Sequence, residues 1–269
     1  MVTTGHNLEG YQTTSEIVDL TVKGGNLCNN WQNLTKDSFT IGVRGATGGM
    51  IGDTVIICGG YDGVNDVDKC YRLTSEKTTL VTHLLFERQY AASIVLNGNI
   101  LWVTGGWSGG YLAYLASTEY VTVTGTIFGP NLPQTLSNHA MVAINKTCSM
   151  VIGGISTDYS ASTSFNEEQA DVNKEQDRTF FYDHNEGEWI TGPSLMQARL
   201  NHAAGIITDD VTDEPLVVVT GGRTGGRNYS DGWFYLNSTE ILQDGEWVQG
   251  KIINTVCHLL KQNCFSKQC

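Results

Sequence analysis

Short apolar runs separated by polar, glycine-rich turns recur along the whole chain. Four of these runs end at a pair of glycines, in VIICGG (55–60), LWVTGG (101–106), SMVIGG (149–154) and VVVTGG (217–222). The runs are rich in β-branched residues and apolar at successive positions, as in strands that are covered on both faces. No stretch keeps the spacing of an amphipathic helix for more than about two turns, so the pattern predicts an all-β fold.

The glycine pairs mark an internal repeat. They are Gly59-Gly60, Gly105-Gly106, Gly153-Gly154 and Gly221-Gly222, and a degenerate copy, VTTGH, ends at His6. After each copy a polar loop leads to a further strand, in TSEIVDL (14–20), DKCYRL (68–73), STEYVTV (117–123), RTFFYD (178–183) and STEILQ (238–243). Recurrence of this kind is typical of repeat architectures, and we count five units.

Each unit also contains positions that suit tight turns and dense packing. A strand that turns sharply beside a crowded centre requires positive φ and no side chain, and glycine provides both at little cost. The turns Asn185-Glu186-Gly187 and Gln243-Asp244-Gly245 each precede Glu-Trp, which predicts a hairpin into one more strand. The tryptophans predicted to pack in that strand are Trp31, Trp189 and Trp247. The glycine pairs and these tryptophans are therefore interpreted as structural.

Four strands per unit, stacked radially, would form a β-propeller. The chain resembles Kelch-repeat proteins in its glycine pairs, in ICGGYDG (57–63), in the Tyr182 and Trp189 pair, and in GPNLP (129–133) ahead of His139. This resemblance implies a β-propeller of four-stranded Kelch blades that occupies residues 1–269 as a single domain. The BTB domain that accompanies many Kelch-like proteins is absent from the sequence, so their role in ubiquitin ligases is not carried over.

The ends of the chain do not coincide with a repeat boundary. MVTTG at the start matches the second strand of a unit, and NTVCHLLKQN (254–263) resembles a first strand such as NHAMVAIN (138–145). The two ends are therefore predicted to complete one blade and close a five-bladed ring. Part of a six-bladed ring, or a fragment without an independent fold, are the alternatives. Residues 155–177 are polar and acidic, and predict an insertion.

Composition narrows the function. The net charge of −12 disfavours nucleic acid and anionic membranes, which bind clusters of Lys and Arg. No HExxH or P-loop motif occurs, and no metal or cofactor is expected. His139, His202 and His258 precede apolar strands at a repeated position, which favours rings packed between blades over catalysis. The chain is thus predicted not to be an enzyme.

The remaining prediction is surface recognition of a partner protein or peptide. In Kelch rings, the loops after the glycine pairs and before the first strands share one face. Arg, Tyr and Trp most often anchor interfaces. On this face the predicted partner-binding residues are Arg44, Tyr61, Arg88, Trp107, Tyr111, Arg199, Arg223, Arg227, Tyr229 and Trp233. The alternative is a lectin-like or carbohydrate-active propeller related to galactose oxidase or sialidases, with Trp107, Trp233 and Tyr229 stacking on a sugar.

Seven cysteines, with no CxxC pair, leave the redox compartment open. Cys58 and Cys70 lie on consecutive predicted strands and either form a disulfide or remain reduced. The N-terminus has no signal peptide as written, which predicts a cytoplasmic protein. A secreted protein is the alternative, if an upstream leader is missing.

Overall fold

The computed structural model describes, with side chains, residues 42–74, 77–157, 174–209, 214–225 and 233–250, and the backbone alone of residues 2–7, 10–18, 31–35 and 173. Its regular elements are β-strands. Within these described ranges, no helix is long and apolar enough to cross a membrane. The predicted all-β class is confirmed for this part of the chain.

The strands follow one another at short intervals. They are β1 (Val2–Asn7), β2 (Gly10–Val18), β3 (Trp31–Thr35), β4 (Thr47–Ile51), β5 (Thr54–Cys58), β6 (Lys69–Leu73), β7 (Thr78–His83), β8 (Ala92–Leu96), β9 (Ile100–Thr104), β10 (Trp107–Ser108), β11 (Ala113–Tyr114), β12 (Thr118–Thr122), β13 (Gly125–Phe128), β14 (Ala140–Ala143), β15 (Cys148–Ile152), β16 (Ile155–Thr157), β17 (Asn173–Glu175), β18 (Thr179–Asp183), β19 (Glu188–Thr191), β20 (Ala203–Thr208), β21 (Pro215–Thr220), β22 (Arg223–Thr224), β23 (Phe234–Tyr235), β24 (Thr239–Gln243) and β25 (Glu246–Gln249).

These strands form five larger antiparallel sheets, numbered here in chain order. Sheet 1 contains β1, β2 and β3, and four sheets have four strands each: sheet 2 (β4–β7), sheet 3 (β8, β9, β12, β13), sheet 4 (β14, β15, β18, β19) and sheet 5 (β20, β21, β24, β25). Short hairpins, β10–β11, β16–β17 and β22–β23, rise from the connection between the second and third strands of sheets 3, 4 and 5. The predicted four-stranded unit is confirmed in sheets 2 to 5.

The glycine pairs follow the second strand of each four-stranded sheet. All eight glycines have positive φ, between 58° and 106°. A Cβ on Gly105 would also lie 2.9 Å from the ring of His139, and one on Gly222 would lie 2.7 Å from the carbonyl oxygen of Leu200. Backbone conformation and lack of space therefore both require glycine at these turns.

The first strands of sheets 2 to 5 lie side by side in chain order, with β4 beside β8, β8 beside β14 and β14 beside β20. Two residues before each of these strands lies a residue with positive φ: Gly45, Tyr90, Asn138 and Asn201. The N–H of Tyr90 donates to the carbonyl of Gly45 at 2.7 Å, and the next two steps repeat this bond at 2.9 Å. Sheets arranged in this way about a common centre are consistent with a β-propeller.

Apolar side chains fill the space between successive sheets. Leu101 and Val103 of sheet 3 pack with Ile56 of sheet 2, and all three are at most 1% exposed. Trp102, on the other face of β9, packs on Tyr182 of sheet 4, with ring centroids 5.0 Å apart. Trp247 belongs to the cluster between sheets 4 and 5. Burial of a large apolar side chain contributes about 1.5–3 kcal/mol, so packing between sheets stabilises the fold.

Two sequence-based expectations about the edges of the repeat have different outcomes. The predicted insertion at 155–177 contains β16 near its start and β17 near its end. These two strands pair with each other, as do the strands of the β10–β11 and β22–β23 hairpins. Residues 254–263, predicted to complete the first blade, lie outside the described residues, as does His258. Trp31 lies in β3, which pairs with β2.

Candidate functional site

One backbone motif repeats in sheets 2 to 5 on the face where the second strands end. The residue after each glycine pair forms two backbone hydrogen bonds, 2.8–3.0 Å long, with a residue that precedes the first strand of the same sheet. The bridged pairs are Arg44–Tyr61, Gln89–Trp107, Ser137–Ile155 and Leu200–Arg223. Together with the hairpins β10–β11, β16–β17 and β22–β23 they form what we call the loop face. Its backbone repeats, whereas its side chains differ from sheet to sheet.

Two of the residues predicted to bind a partner, Arg88 and Arg199, are instead buried inside the sheets. Their side chains are 1% and 0% exposed, and they bond within their own sheets. Nη1 of Arg199 donates to the carbonyls of Gly221 and Ser238, and its Nη2 donates to Oε1 of Glu240 at 2.5 Å. A guanidinium enclosed in this way cannot reach a partner.

Arg88 has the same environment in sheet 3. Its Nη1 donates to the carbonyl of Gly105 at 2.6 Å, and its Nη2 forms an ion pair with Glu119. Burial lowers the pKa of Arg88, and the adjacent carboxylate of Glu119 opposes that shift. The Ser-Thr-Glu sequence that opens both STEYVTV (117–123) and STEILQ (238–243) is explained by this contact, since in sheet 3 its Ser and Glu side chains both accept hydrogen bonds from the arginine. The motif is therefore structural.

Sheets 2 and 4 carry apolar or aromatic side chains at the repeat positions where sheets 3 and 5 carry the ion pair. In sheet 4, Leu136 and Phe180 stand where sheet 3 has Arg88 and Glu119, and both are at most 5% exposed. In sheet 2, the corresponding residues are Val43 and Tyr71. Where the first of the two positions holds arginine, the second holds glutamate, as in sheets 3 and 5. Where the first holds an apolar residue, the second holds an aromatic one, as in sheets 2 and 4. The pair acts as a packing unit, because a buried arginine needs its carboxylate partner.

Four predicted residues form two cation–π pairs on the loop face. The guanidinium carbon of Arg44 lies 4.9 Å from the ring centre of Tyr61, and that of Arg223 lies 3.9 Å from the ring centre of Trp233. All four are partly exposed. Burial lowers the pKa of Arg223. Arg227 and Tyr229 lie outside the described residues, so only part of this predicted set can be located.

The β10–β11 hairpin carries two further predicted residues, Trp107 and Tyr111. Trp107 is partly exposed and packs edge-on against Tyr114, with ring centroids 5.0 Å apart. Tyr111, at the tip, is 58% exposed, and the next residue, Leu112, is 78% exposed with a φ of 50°. A non-glycine residue rarely adopts positive φ, so the tip holds an exposed leucine in a constrained conformation.

Sequence reasoning missed an exposed apolar surface beside this hairpin. The ring of Phe86 lies 5.4 Å from Tyr111 and 5.8 Å from Phe128, centroid to centroid. With the flanking Leu85 and Leu112 these residues form what we call the aromatic patch, which comprises Leu85, Phe86, Tyr111, Leu112 and Phe128. A comparison of repeat positions would have detected it, because sheets 4 and 5 carry Gln134 and Gln197 where sheet 3 carries Phe86.

A small cavity lies at the centre, where the first strands of sheets 2 to 5 meet. Its volume is about 230 Å³, and it is lined by Gly45, Ala46, Tyr90, Ala91, Asn138, His139, Asn201 and His202. His139 and His202 are 7% and 6% exposed. The Nε2 of His139 lies 2.9 Å from the hydroxyl oxygen of Thr104 in the preceding sheet. Both rings pack between neighbouring sheets, as the repeated position predicted.

Burial lowers the pKa of each of these two histidines to about 3. For His202, the positive charge of Arg199 lowers the pKa further. Both imidazoles are therefore neutral in the folded protein across the physiological range. Among the residues that the structure describes, no group of three or more His, Cys, Asp or Glu side chains is placed to hold a metal ion.

Cys58 and Cys70 form a disulfide between β5 and β6, with Cα atoms 4.0 Å apart. They are direct cross-strand partners and are fully buried. In sheet 5 the equivalent positions are Thr220 and Thr239, whose hydroxyl oxygens lie 3.0 Å apart. The disulfide thus replaces a polar cross-strand contact at a repeated position, and it lies in the core between sheets.

Comparisons with known proteins inform the fold alone. No protein-family model matches the chain, and no curated protein matches it. Among 168 matching chains of solved structures, that of YjhT has a TM-score of 0.71 at 15% sequence identity, and the alignment covers 91% of this chain and 79% of that one. At this identity the likeness supports the all-β architecture and carries no information about activity.

Proposed function

We propose that the chain is a β-propeller of Kelch type whose five sheets close into a ring. Sheets 2 to 5 have four strands, while the described part of sheet 1 has three. The proposal assigns the missing strand of sheet 1 to residues 254–263, because their sequence resembles a first strand. A glycine pair follows the second strand of each of sheets 2 to 5, which supports a common repeat.

We further propose that the protein is a non-enzymatic scaffold that binds a partner protein through the loop face. The observation that carries this proposal is the contrast between a repeated backbone frame and side chains that do not repeat. A rigid frame lowers the conformational entropy lost on binding, and exposed Tyr and Trp side chains provide much contact area. The exposed hairpin tip at Tyr111 and Leu112 supports a protein as the ligand.

The carbohydrate alternative has less support from the contacts of the candidate stacking residues. A sugar stacks on a free aromatic face, yet one face of Trp233 is covered by Arg223 and an edge contact with Tyr114 restricts Trp107. Tyr229 lies outside the described residues. These contacts favour protein recognition as the role of the loop face.

Site-specific photocrosslinking tests this function. We expect a photoreactive phenylalanine analogue at Trp107 to crosslink a discrete protein in an extract of the source organism. A matched analogue at Ile190, which is 54% exposed on the outer strand β19, should yield no such product. A glycan array probed with the wild-type protein provides the competing test. Glycan binding without a protein crosslink at Trp107 would contradict the proposal.

A further inference from the structure

We propose that the aromatic patch is the docking site for a basic, apolar segment of a partner protein. This inference rests on the proposed scaffold function and adds the position of the contact and the chemistry of the segment. Three observations support it: the exposure of the patch, its replacement by polar side chains in sheets 4 and 5, and the negative charge around it.

The patch exposes a large apolar area. Leu85 is 43% exposed, Tyr111 and Phe128 are each 58% exposed, and Leu112 is 78% exposed. These side chains surround the partly buried ring of Phe86 and come from the loop before β8, the β10–β11 hairpin and the end of β13. Contiguous apolar patches on a protein surface typically mark interaction sites, whereas single exposed apolar residues are common.

The two phenylalanines of the patch are not required by the repeat. Phe128 in β13 corresponds by strand register to Leu80 in β7, to Thr191 in β19 and to Gln249 in β25. Gln134 and Gln197 likewise replace Phe86 in sheets 4 and 5. The fold therefore tolerates polar side chains at both positions, and stability does not require the two phenylalanines of sheet 3. A requirement other than folding must account for them.

Internal hydrogen bonds hold the hairpin part of the patch in place. Buried Ser108 donates its hydroxyl to Glu87 at 2.8 Å, and the N–H of Tyr111 donates to the same hydroxyl at 3.3 Å. The N–H of Gly109 donates to the carboxylate of Asp66. The conformation of the tip, including the positive φ of Leu112, is thus fixed before binding, which reduces the entropic cost of docking.

The loop part of the patch is anchored on the buried ion pair of sheet 3. The carboxylate of Glu119 accepts the N–H groups of Leu85 at 2.6 Å and of Phe86 at 3.1 Å. Because Glu119 is itself held by Arg88, the two apolar side chains project from a fixed backbone. The sheet core and the docking surface are therefore connected through this carboxylate.

The charge around the patch determines the partner chemistry. The carboxylates of Asp66 and Glu87 accept hydrogen bonds from the hairpin and are partly exposed. Both oxygens of Asp66 accept hydrogen bonds, from Gly109 and from Gln89, as expected for the ionised form. The patch segments themselves, 84–87, 107–114 and 125–128, contain no Lys or Arg. Charge complementarity favours a segment that combines large apolar side chains with Lys or Arg.

A random dodecapeptide library displayed on phage tests this inference. We expect peptides enriched on the wild-type protein to combine an aromatic or Leu residue with at least one Lys or Arg. Their binding should weaken with salt and weaken at least about tenfold with the Phe86→Gln/Phe128→Thr variant. The two replacements copy residues of the neighbouring sheets, so the variant should keep the wild-type melting temperature. Ile190→Thr, on the equivalent outer strand of sheet 4, is the matched control and should bind as wild type does.

Several results would overturn the inference. Enrichment of acidic peptides, equal binding to the Phe86→Gln/Phe128→Thr variant, or no enrichment at all would each contradict it. Dimerisation in sedimentation experiments that this variant abolishes would assign the patch to a second copy of the chain. A protein crosslink at Trp107 alongside any of these outcomes would leave the scaffold function intact, while absence of that crosslink would count against the scaffold itself.

Discussion

Glu240→Phe is expected to lower the free energy of unfolding by about 3–5 kcal/mol. The replacement leaves the guanidinium of Arg199 buried without a counter-charge and removes the acceptor of the N–H groups of Met196 and Gln197. Removing one partner of a buried ion pair costs more than the pair itself contributes, because the remaining charge cannot return to water. Urea denaturation followed by tryptophan fluorescence measures this change.

The matched control for this variant comes from the neighbouring sheet. Sheet 4 has Leu136 and Phe180 where sheet 5 has Arg199 and Glu240. The double variant Arg199→Leu/Glu240→Phe should therefore recover most of the stability lost in Glu240→Phe. Equal losses in the single and double variants would show that the two positions do not act as a pair.

Acidification from pH 7 to pH 5 is expected to lower the free energy of unfolding by about 4 kcal/mol through His139 and His202. Their pKa in the folded protein is about 3, against 6.5 in the unfolded chain. Below pH 6.5 the unfolded chain binds two protons that the folded protein excludes, so each histidine contributes about 1.4 kcal/mol per pH unit. The stabilisation is complete above pH 6.5 and declines as the pH falls towards 3. Urea denaturation at successive pH values measures the slope.

The control removes the two imidazoles. Alanine occupies the same repeat position in sheets 2 and 3, as Ala46 and Ala91, so His139→Ala/His202→Ala is compatible with the backbone. Whatever its stability at pH 7, this variant should lose most of the pH dependence between 6.5 and 5. His83→Ala, which removes a half-exposed ring, should keep it. If the free energy of unfolding of the double variant fell with pH as steeply as that of the wild type, the assignment of this pH dependence to His139 and His202 would be refuted.

Much of the scaffold could be predicted from the sequence, because each unit repeats a strong local signal. Glycine pairs and apolar runs predicted the four-stranded unit of sheets 2 to 5, and the Glu-Trp turns predicted the last hairpin of sheets 4 and 5. The location of the arginines could not be predicted from single positions, since one unit does not show whether its Arg points outward or is enclosed by the next strand. The correlation between units, Arg88 with Glu119 but Leu136 with Phe180, contains that information.

The aromatic patch was harder to predict for a topological reason. Phe86, Tyr111 and Phe128 come from three separate segments, and none is unusual alone. They meet because β9, β12 and β13 are neighbours in one sheet, which brings the end of β13 to the loop before β8 and the β10–β11 hairpin. Only strand order and register place them together.

The central claim is that the repeated side chains form the scaffold and the non-repeating ones bind the partner. It is tested most directly by the Kd for the protein that crosslinks at Trp107, measured with two variants. Arg199→Leu/Glu240→Phe, which removes Arg199, a residue that the sequence predicts to contact the partner and the structure buries, should leave the Kd unchanged. Phe86→Gln/Phe128→Thr should raise the Kd at least about tenfold. The opposite result, with affinity lost in the first variant and kept in the second, would contradict the account.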